Sequence, residues 1–185
     1  MSKSYDITTR AVVVARLSSG EGSVRAALYT EEYGLVHAFA KSAREERSKL
    51  RSHLQVGSYG AYTVVRGKHE WKVVGAVETR NSYFELAATP ELQHASSRVV
   101  GVVRHLVHGE EQNEELFSVL WSYLDALRGC DPTEARGAEM RAVARILSTL
   151  GYVSVATTEL TDERELTKHI NEALAASHLG IRRAV

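Results

Sequence analysis

AVVVARLSSGEGSVRAALYTEEYGLVHAFAKSAREERSKLRSHL, residues 11–54, holds three short apolar runs separated by turn residues. The runs are Ala11 to Leu17, Val24 to Thr30 and Leu35 to Ala40. Between the first two, Ser18-Ser19-Gly20-Glu21-Gly22-Ser23 supplies glycines free to take positive φ and serine oxygens that bond the local backbone, which predicts a strand-to-strand turn. Glu31-Glu32-Tyr33-Gly34 places its glycine where a tight hairpin needs left-handed geometry. Beyond residue 40 the pattern changes. Lys41, Arg44, Arg47, Lys49 and Arg51 face only Glu45 and Glu46 in opposition, and the segment lacks the periodicity of a core element, so a basic loop is expected there instead of a fourth strand.

Two further β-type runs, Ser58 to Arg66 and Trp71 to Thr79, are joined by Gly67-Lys68-His69-Glu70. Five short antiparallel strands within about 80 residues match the size of an oligonucleotide-binding (OB) barrel, which closes the sheet and removes its edges. After Arg80 the texture becomes helical. Thr89-Pro90-Glu91, Asp131-Pro132-Thr133-Glu134 and Thr161-Asp162-Glu163 each set a capping residue ahead of acidic residues suited to the positive end of a helix. Gly109, Gly129, Gly151 and Gly180 stand where helices would end. Between these marks, Leu116, Phe117, Leu120, Trp121, Leu124 and Leu127 recur at helical spacing, as do Met140, Val143, Ile146, Leu147 and Leu150. Val99, Val103 and Leu106, and then Leu166, Ile170 and Leu174, repeat the habit. The expected fold is α+β: a five-stranded OB-fold β-barrel over residues 1–80, then an all-helical domain of about four helices over residues 81–185.

The formal net charge is zero, yet the halves differ. Residues 1–80 hold 13 Lys and Arg against 8 Asp and Glu, and residues 81–185 hold 10 against 15. The strand half is thus about +5 and the helical half about −5, which suits a polyanion on the first and partners on the second. The single cysteine, Cys130, excludes an internal disulfide and leaves no Cys-x-x-Cys for structural zinc. The apolar run Ala11 to Ala15 lies beside Arg10 and Arg16, too short and too charged for a signal sequence or membrane span, so a cytoplasmic protein is expected, nucleoid-associated where the polyanion is DNA.

Catalytic motifs are lacking. There is no phosphate-binding G-x-x-x-x-G-K-[ST] loop, no dinucleotide fingerprint and no His-Glu-x-x-His, so no enzyme activity, cofactor or metal is expected. Gly20-Glu21-Gly22 joins two antiparallel strands instead of opening a helix and reads as a plain turn. His105 and His108 sit one helical turn apart with Glu111 beyond, but without a third ligand of clear spacing they read as exposed or locally bonded. Cys130, in an interhelical turn, has no activating base to make it a nucleophile.

Taken in order, Arg25, Leu28-Tyr29-Thr30-Glu31-Glu32-Tyr33-Gly34, Ala40-Lys41-Ser42-Ala43-Arg44, Ser48-Lys49-Leu50 and Leu54-Gln55 resemble the N-terminal OB domain of the RecO family of bacterial recombination mediators. That family carries a similar T-E-E-x-G hairpin, a K-G-A-R turn and a basic S-x-L segment ahead of L-Q-P. Glu115-Leu116-Phe117 and Met140 to Tyr152, ending Leu150-Gly151-Tyr152, extend the likeness, which covers roughly residues 8–155. Departures accompany it. Ser42 stands where the family usually has Gly, and Val56-Gly57 where it has Pro-Phe. Many members insert a zinc-binding cysteine cluster where Val153 to Leu160 is short and cysteine-free, so a short form without the zinc module is expected. The final helix, Asp162 to Leu179, matches too weakly to transfer residues.

The resemblance implies a mediator of the RecF repair pathway that works without nucleotide hydrolysis. Such proteins bind single- and double-stranded DNA, engage the C-terminal tail of single-stranded DNA-binding protein and the partner RecR, help load the recombinase RecA, and anneal strands. From the residues themselves, Lys41, Arg44, Arg47, Lys49 and Arg51 form the expected phosphate-contacting loop, extended by Arg25, Arg66 and Lys68. Tyr29 shares a strand face with Arg25 and offers a ring for base stacking, the alternative being a partly buried structural tyrosine. Arg141 and Arg145, four residues apart beside Met140, Val143 and Leu147, are the candidate receptor for an acidic, apolar-ended tail. Their alternative is pairing with Glu134 or Glu139. An OB-fold RNA-binding accessory factor, or an interaction adaptor that touches no nucleic acid, are the competing functions.

Overall fold

The computed structural model describes residues 5–68 and 70–177. His69, the expected helix end at Gly180 and the last residues of the expected final helix lie outside these. Five strands form a closed barrel: β1 (Asp6–Ser19), β2 (Ser23–Thr30), β3 (Gly34–Ala40), β4 (Ser58–Arg66) and β5 (Trp71–Asn81), in the order β1-β2-β3-β5-β4. Closure depends on the length of β1. Its first half pairs with β4 (Asp6 with Val65 through Val12 with Tyr59), and its second half pairs with β2 (Ala11 with Thr30 through Ser19 with Ser23). A bulge between Val13 and Ala15 lets one strand bend from one partner to the other. The β3–β5 seam is parallel and brief, Ala38 with Trp71 and Phe39 with Lys72.

The period of two explains the barrel core. Val24, Ala26 and Leu28 of β2 point inward with Ala11 and Val13 of β1, Val36 and Ala38 of β3, Tyr62 and Val64 of β4, and Trp71 and Val73 of β5. Short side chains on β2 and β3 leave room for Tyr62, which is fully buried and donates its hydroxyl to the carbonyl of His53 at 2.7 Å. Residues on the outer side of β1 and its neighbours are also buried: Val12 pairs with Tyr29 on one flank and Tyr59 on the other, and all three are at most 2% exposed. That accounts for the unbroken Val12-Val13-Val14 run, because a strand buried on both faces needs no alternation.

Among the described residues, three short helices accompany four long ones. α1 (Leu50–His53) lies between β3 and β4, and α2 (Ser82–Glu85) follows β5. The long helices are α3 (Pro90–Leu106), α4 (Glu114–Ala126), α5 (Ala135–Thr149) and α7 (Glu163–Ala176), with α6 (Val155–Thr158) a single turn. Some starts use the expected residues, although the Thr89 side chain makes no capping hydrogen bond and α4 begins at Glu114 with no such signal. Pro90 opens α3, and the Asp162 carboxylate accepts from the amides of Arg164 (2.8 Å) and Glu165 (3.3 Å) at the head of α7. Asp131 instead caps a 3-10 turn, Pro132–Glu134, that leads into α5. α5 stops at Gly151, whose φ of 77° allows Tyr152 N–H to reach Leu147 O (2.8 Å) and Gly151 N–H to reach Ser148 O (2.9 Å). Gly109 ends no helix directly, and Gly129 ends only a short 3-10 helix, without the left-handed φ of a C-cap glycine. The C-cap of α3 is an extended Val107, and Gly129 lies within a 3-10 turn, Leu127–Gly129.

The chain divides into two compact units: Met1–Glu85 with His108–Glu114, and Leu86–Val107 with Glu115–Val185. The first includes a return segment, His108–Glu114, which no local pattern of residues ties to the strands. In the second, α5 packs against α3 and α7 through Met140, Val143, Ile146 and Leu147, all fully buried. Arg98 of α3 reaches Glu139 of α5 with two hydrogen bonds of 2.5 Å, satisfying a carboxylate that is 1% exposed. Among the described residues no helix is long and apolar enough to cross a membrane.

Candidate nucleic-acid interface

The basic loop is anchored to the barrel at both ends. Ala43 is fully buried, and on the far side Leu54 fills the barrel interior. Reaching Ala43 requires a left-handed residue before it, and Ser42 takes φ 54°. Arg44 then joins the loop to the β1–β2 turn. Its amide donates to Gly22 O (2.7 Å), and its guanidinium donates to Gly20 O (2.6 Å) and Ser18 Oγ (3.4 Å). Arg44 therefore holds the loop's shape as well as presenting charge. Lys41, Arg47, Lys49 and Arg51 are exposed, and none is held in an ion pair with a described residue. Their charges remain available to a polyanion.

Arg25 and Arg66 are already engaged. Arg25 lies 3.0 Å from Glu70 and over the Phe39 ring at 5.9 Å, and Arg66 lies 3.3 Å from Glu110 and over the Trp71 ring at 5.3 Å. With side chains 58% and 67% exposed, such pairs contribute only about 0.2–1 kcal/mol each, so a phosphate can displace the carboxylate at small cost. Lys68, in the same β4–β5 turn, is exposed. The β1–β2 turn, the start of the basic loop and the β4–β5 turn thus gather about the Val24–Ala40 end of the barrel, bringing Arg25, Lys41, Arg44, Arg66 and Lys68 to one region. Arg51, in α1, lies at the other end of the loop beside β5, where His53 Nδ1 meets Thr79 Oγ1.

Tyr29 does not offer a stacking ring. It does share a strand face with Arg25, but that face is buried at its end. Tyr29 is fully buried, its hydroxyl donates to Asn113 O (3.3 Å), and burial pushes its pKa well up. The cause is the return segment, which sequence periodicity could not reveal because its contacts are backbone and polar. Gly109 O accepts from Leu35 N–H (3.0 Å), and Glu110 accepts from the Trp71 indole (2.8 Å). Gly34, with φ 63°, lies so close that a Cβ there would collide with the Glu111 carbonyl.

On the helical unit, Arg141 and Arg145 line an open cavity of about 470 Å³ whose apolar wall includes Val119, Tyr123, Ala126 and Ala142. Neither arginine pairs with Glu139, which Arg98 occupies, and no ion pair ties either to a described residue. Met140 is not part of this site. It is fully buried, its sulfur accepting from Thr167 Oγ1 at 3.6 Å, because the stripe of Met140, Val143 and Leu147 faces the helical core. The apolar wall comes instead from α4 and from the small residues of α5. Alanines at positions 138 and 142 were the available signal, since they leave a groove between larger neighbours.

No group of three or more His, Cys, Asp or Glu among the described residues could hold a metal ion. His105 Nδ1 donates to Gly101 O at 2.7 Å. Burial, then Glu134 and Asp131, push the Cys130 thiol upward, which disfavours the thiolate a nucleophile needs.

Comparison with known proteins agrees with the barrel. Residues 1–83 match the family model described as Recombination protein O N terminal. The chain is 32% identical over 127 residues to the DNA repair protein RecO of Dehalococcoides mccartyi, covering 69% of this chain and 50% of that protein. It is 25% identical over 142 residues to that of Desulfitobacterium hafniense (77% and 50%), and 27% over 151 residues to that of Chlorobium limicola (79% and 56%). The chain spans about half the length of the curated relatives it matches.

Proposed function

Because this chain belongs to the RecO family through its N-terminal barrel, we propose that it is a non-enzymatic mediator of DNA repair and recombination. In this reading it binds single- and double-stranded DNA, anneals strands, and helps load the recombinase where single-stranded DNA-binding protein has coated the strand. The observation that carries the reading is the loop Lys41–Arg51, whose exposed cations make no ion pair with a described residue while its ends are fixed to the barrel. A pre-shaped cationic loop releases counterions from phosphates with little ordering cost, and a surface that neutralises two backbones lowers the repulsion opposing annealing. Lys41, Arg47 and Lys49 changed together to Ala, leaving Arg44 to hold the loop, should weaken binding at every sequence. The slope of log affinity against log salt should fall by about 2–3. An unchanged slope would remove the loop from the interface.

The acidic tail of single-stranded DNA-binding protein is assigned to the cavity on α4 and α5. A peptide with an apolar last residue and a free carboxylate needs an apolar slot with cations at its mouth, which Arg141 and Arg145 supply. Calorimetry with the tail peptide tests this. Arg141→Glu with Arg145→Glu should abolish binding and leave the DNA affinity of the barrel unchanged, and undiminished peptide binding would place the receptor elsewhere. RecR remains a proposed partner to which no residues are assigned.

A further inference from the structure

Where the basic loop rejoins the barrel, two aromatic rings stand in solvent. Tyr83 and Phe84, in α2, are 50% and 62% exposed and pack edge to face with centroids 5.6 Å apart. Large aromatic side chains normally bury most of their surface, so a paired exposure on one short helix calls for an occupant. The helix is not loosely hung. Ser82 donates to Gly57 O through both its amide (3.2 Å) and its hydroxyl (3.1 Å). Asn81 Nδ2 donates to Ser58 Oγ (2.7 Å), while Asn81 Oδ1 accepts from Phe84 N–H (3.2 Å). Gly57, with φ 82°, has no room for a Cβ, which would stand 2.9 Å from Ser82 Oγ. The loop's exit and the aromatic helix are thus joined through one glycine.

Charge decides what the rings would meet. Exposed Arg80 lies three residues before Tyr83 on β5, and Arg51 of α1 stands beside the same end of β5. Neither arginine is held in an ion pair with a described residue. We propose that Tyr83 and Phe84 form a stacking platform for unpaired bases, with Arg51 and Arg80 holding the flanking phosphates, so that this end of the loop prefers single-stranded over duplex DNA. The inference rests on the DNA-binding reading above. It gives the strand preference a physical source: bases inside a duplex have no free faces, whereas phosphates are common to both forms.

The test uses the full chain with three probes: oligothymidylate, an abasic strand of equal length, and a duplex. The parent should bind the base-bearing strand more tightly than the abasic one. Tyr83→Leu with Phe84→Leu keeps apolar bulk at exposed positions and removes the rings. It should lower affinity for oligothymidylate about tenfold or more, leave abasic and duplex affinities within twofold, and leave the salt slope unchanged. Tyr83→Phe, which retains both rings, should bind like the parent and guards against loss through misfolding. Equal affinities of parent and double variant for oligothymidylate would overturn the platform and leave the patch to a protein partner. Failure of the parent to bind any of the three probes would overturn the DNA-binding reading itself.

Discussion

Single residues carry constraints that a side-chain inventory understates. Gly34 is required twice, once for its left-handed φ and once because the Glu111 backbone occupies the place of a Cβ. Gly34→Ala should therefore destabilise the barrel by at least about 2 kcal/mol, more than the roughly 1–2 kcal/mol of the backbone conformation alone. Chemical denaturation followed by Trp71 fluorescence in a Trp121→Phe background measures it. Ser42 shows the converse. It occupies φ 54°, a backbone conformation that glycine adopts without strain, so Ser42→Gly should raise stability by up to about 1 kcal/mol, reduced by the unfolded-state freedom of glycine. Tyr123 is a third case. Its buried hydroxyl has no hydrogen-bond partner among the described residues, and Tyr123→Phe should leave the melting temperature unchanged or raise it.

Elements were legible in proportion to how far their own residues determine them. All five strands fall within two residues of their expected ends except the start of β1, which begins five residues early because pairing with β4 recruits the polar Asp6–Arg10 stretch. The four long helices declare themselves through apolar spacing, and Asp162 through its cap. What the sequence withheld depends on distant chain. Tyr29 alternates correctly yet is sealed by Asn113, and Met140 lies on a real apolar stripe that turns to the core instead of the cavity. The contact between α3 and α5 holds another long-range dependence, the Arg98–Glu139 pair. Arg98→Met would strand a carboxylate that is 1% exposed. The expected loss lies toward the lower end of roughly 3–5 kcal/mol, because the arginine side chain keeps 43% of its surface in water. Arg98→Met with Glu139→Leu should recover much of it, and a thermal melt of both variants checks the sign.

At the scale of the whole molecule, the barrel unit is discontinuous. Residues 1–85 expressed alone would lack Gly109, Glu110 and Asn113, and with them the partners of Leu35, Trp71 and Tyr29. The fragment should melt several degrees below the barrel in a full chain carrying Trp121→Phe, with Trp71 emission shifted to longer wavelength, and identical behaviour would show that the return segment contributes nothing. The same discontinuity sets an order of events during synthesis. A ribosome releases the Lys41–Arg51 loop well before Glu110, so the nascent barrel passes through a stage in which its cations have emerged while the carboxylate that engages Arg66 has not. The barrel completes only after the 17-residue helix α3, which belongs to the other unit, has been made. Completion of the barrel therefore waits on delivery of residues 108–114, and any translational pause that holds them short of the tunnel exit would prolong a half-built barrel.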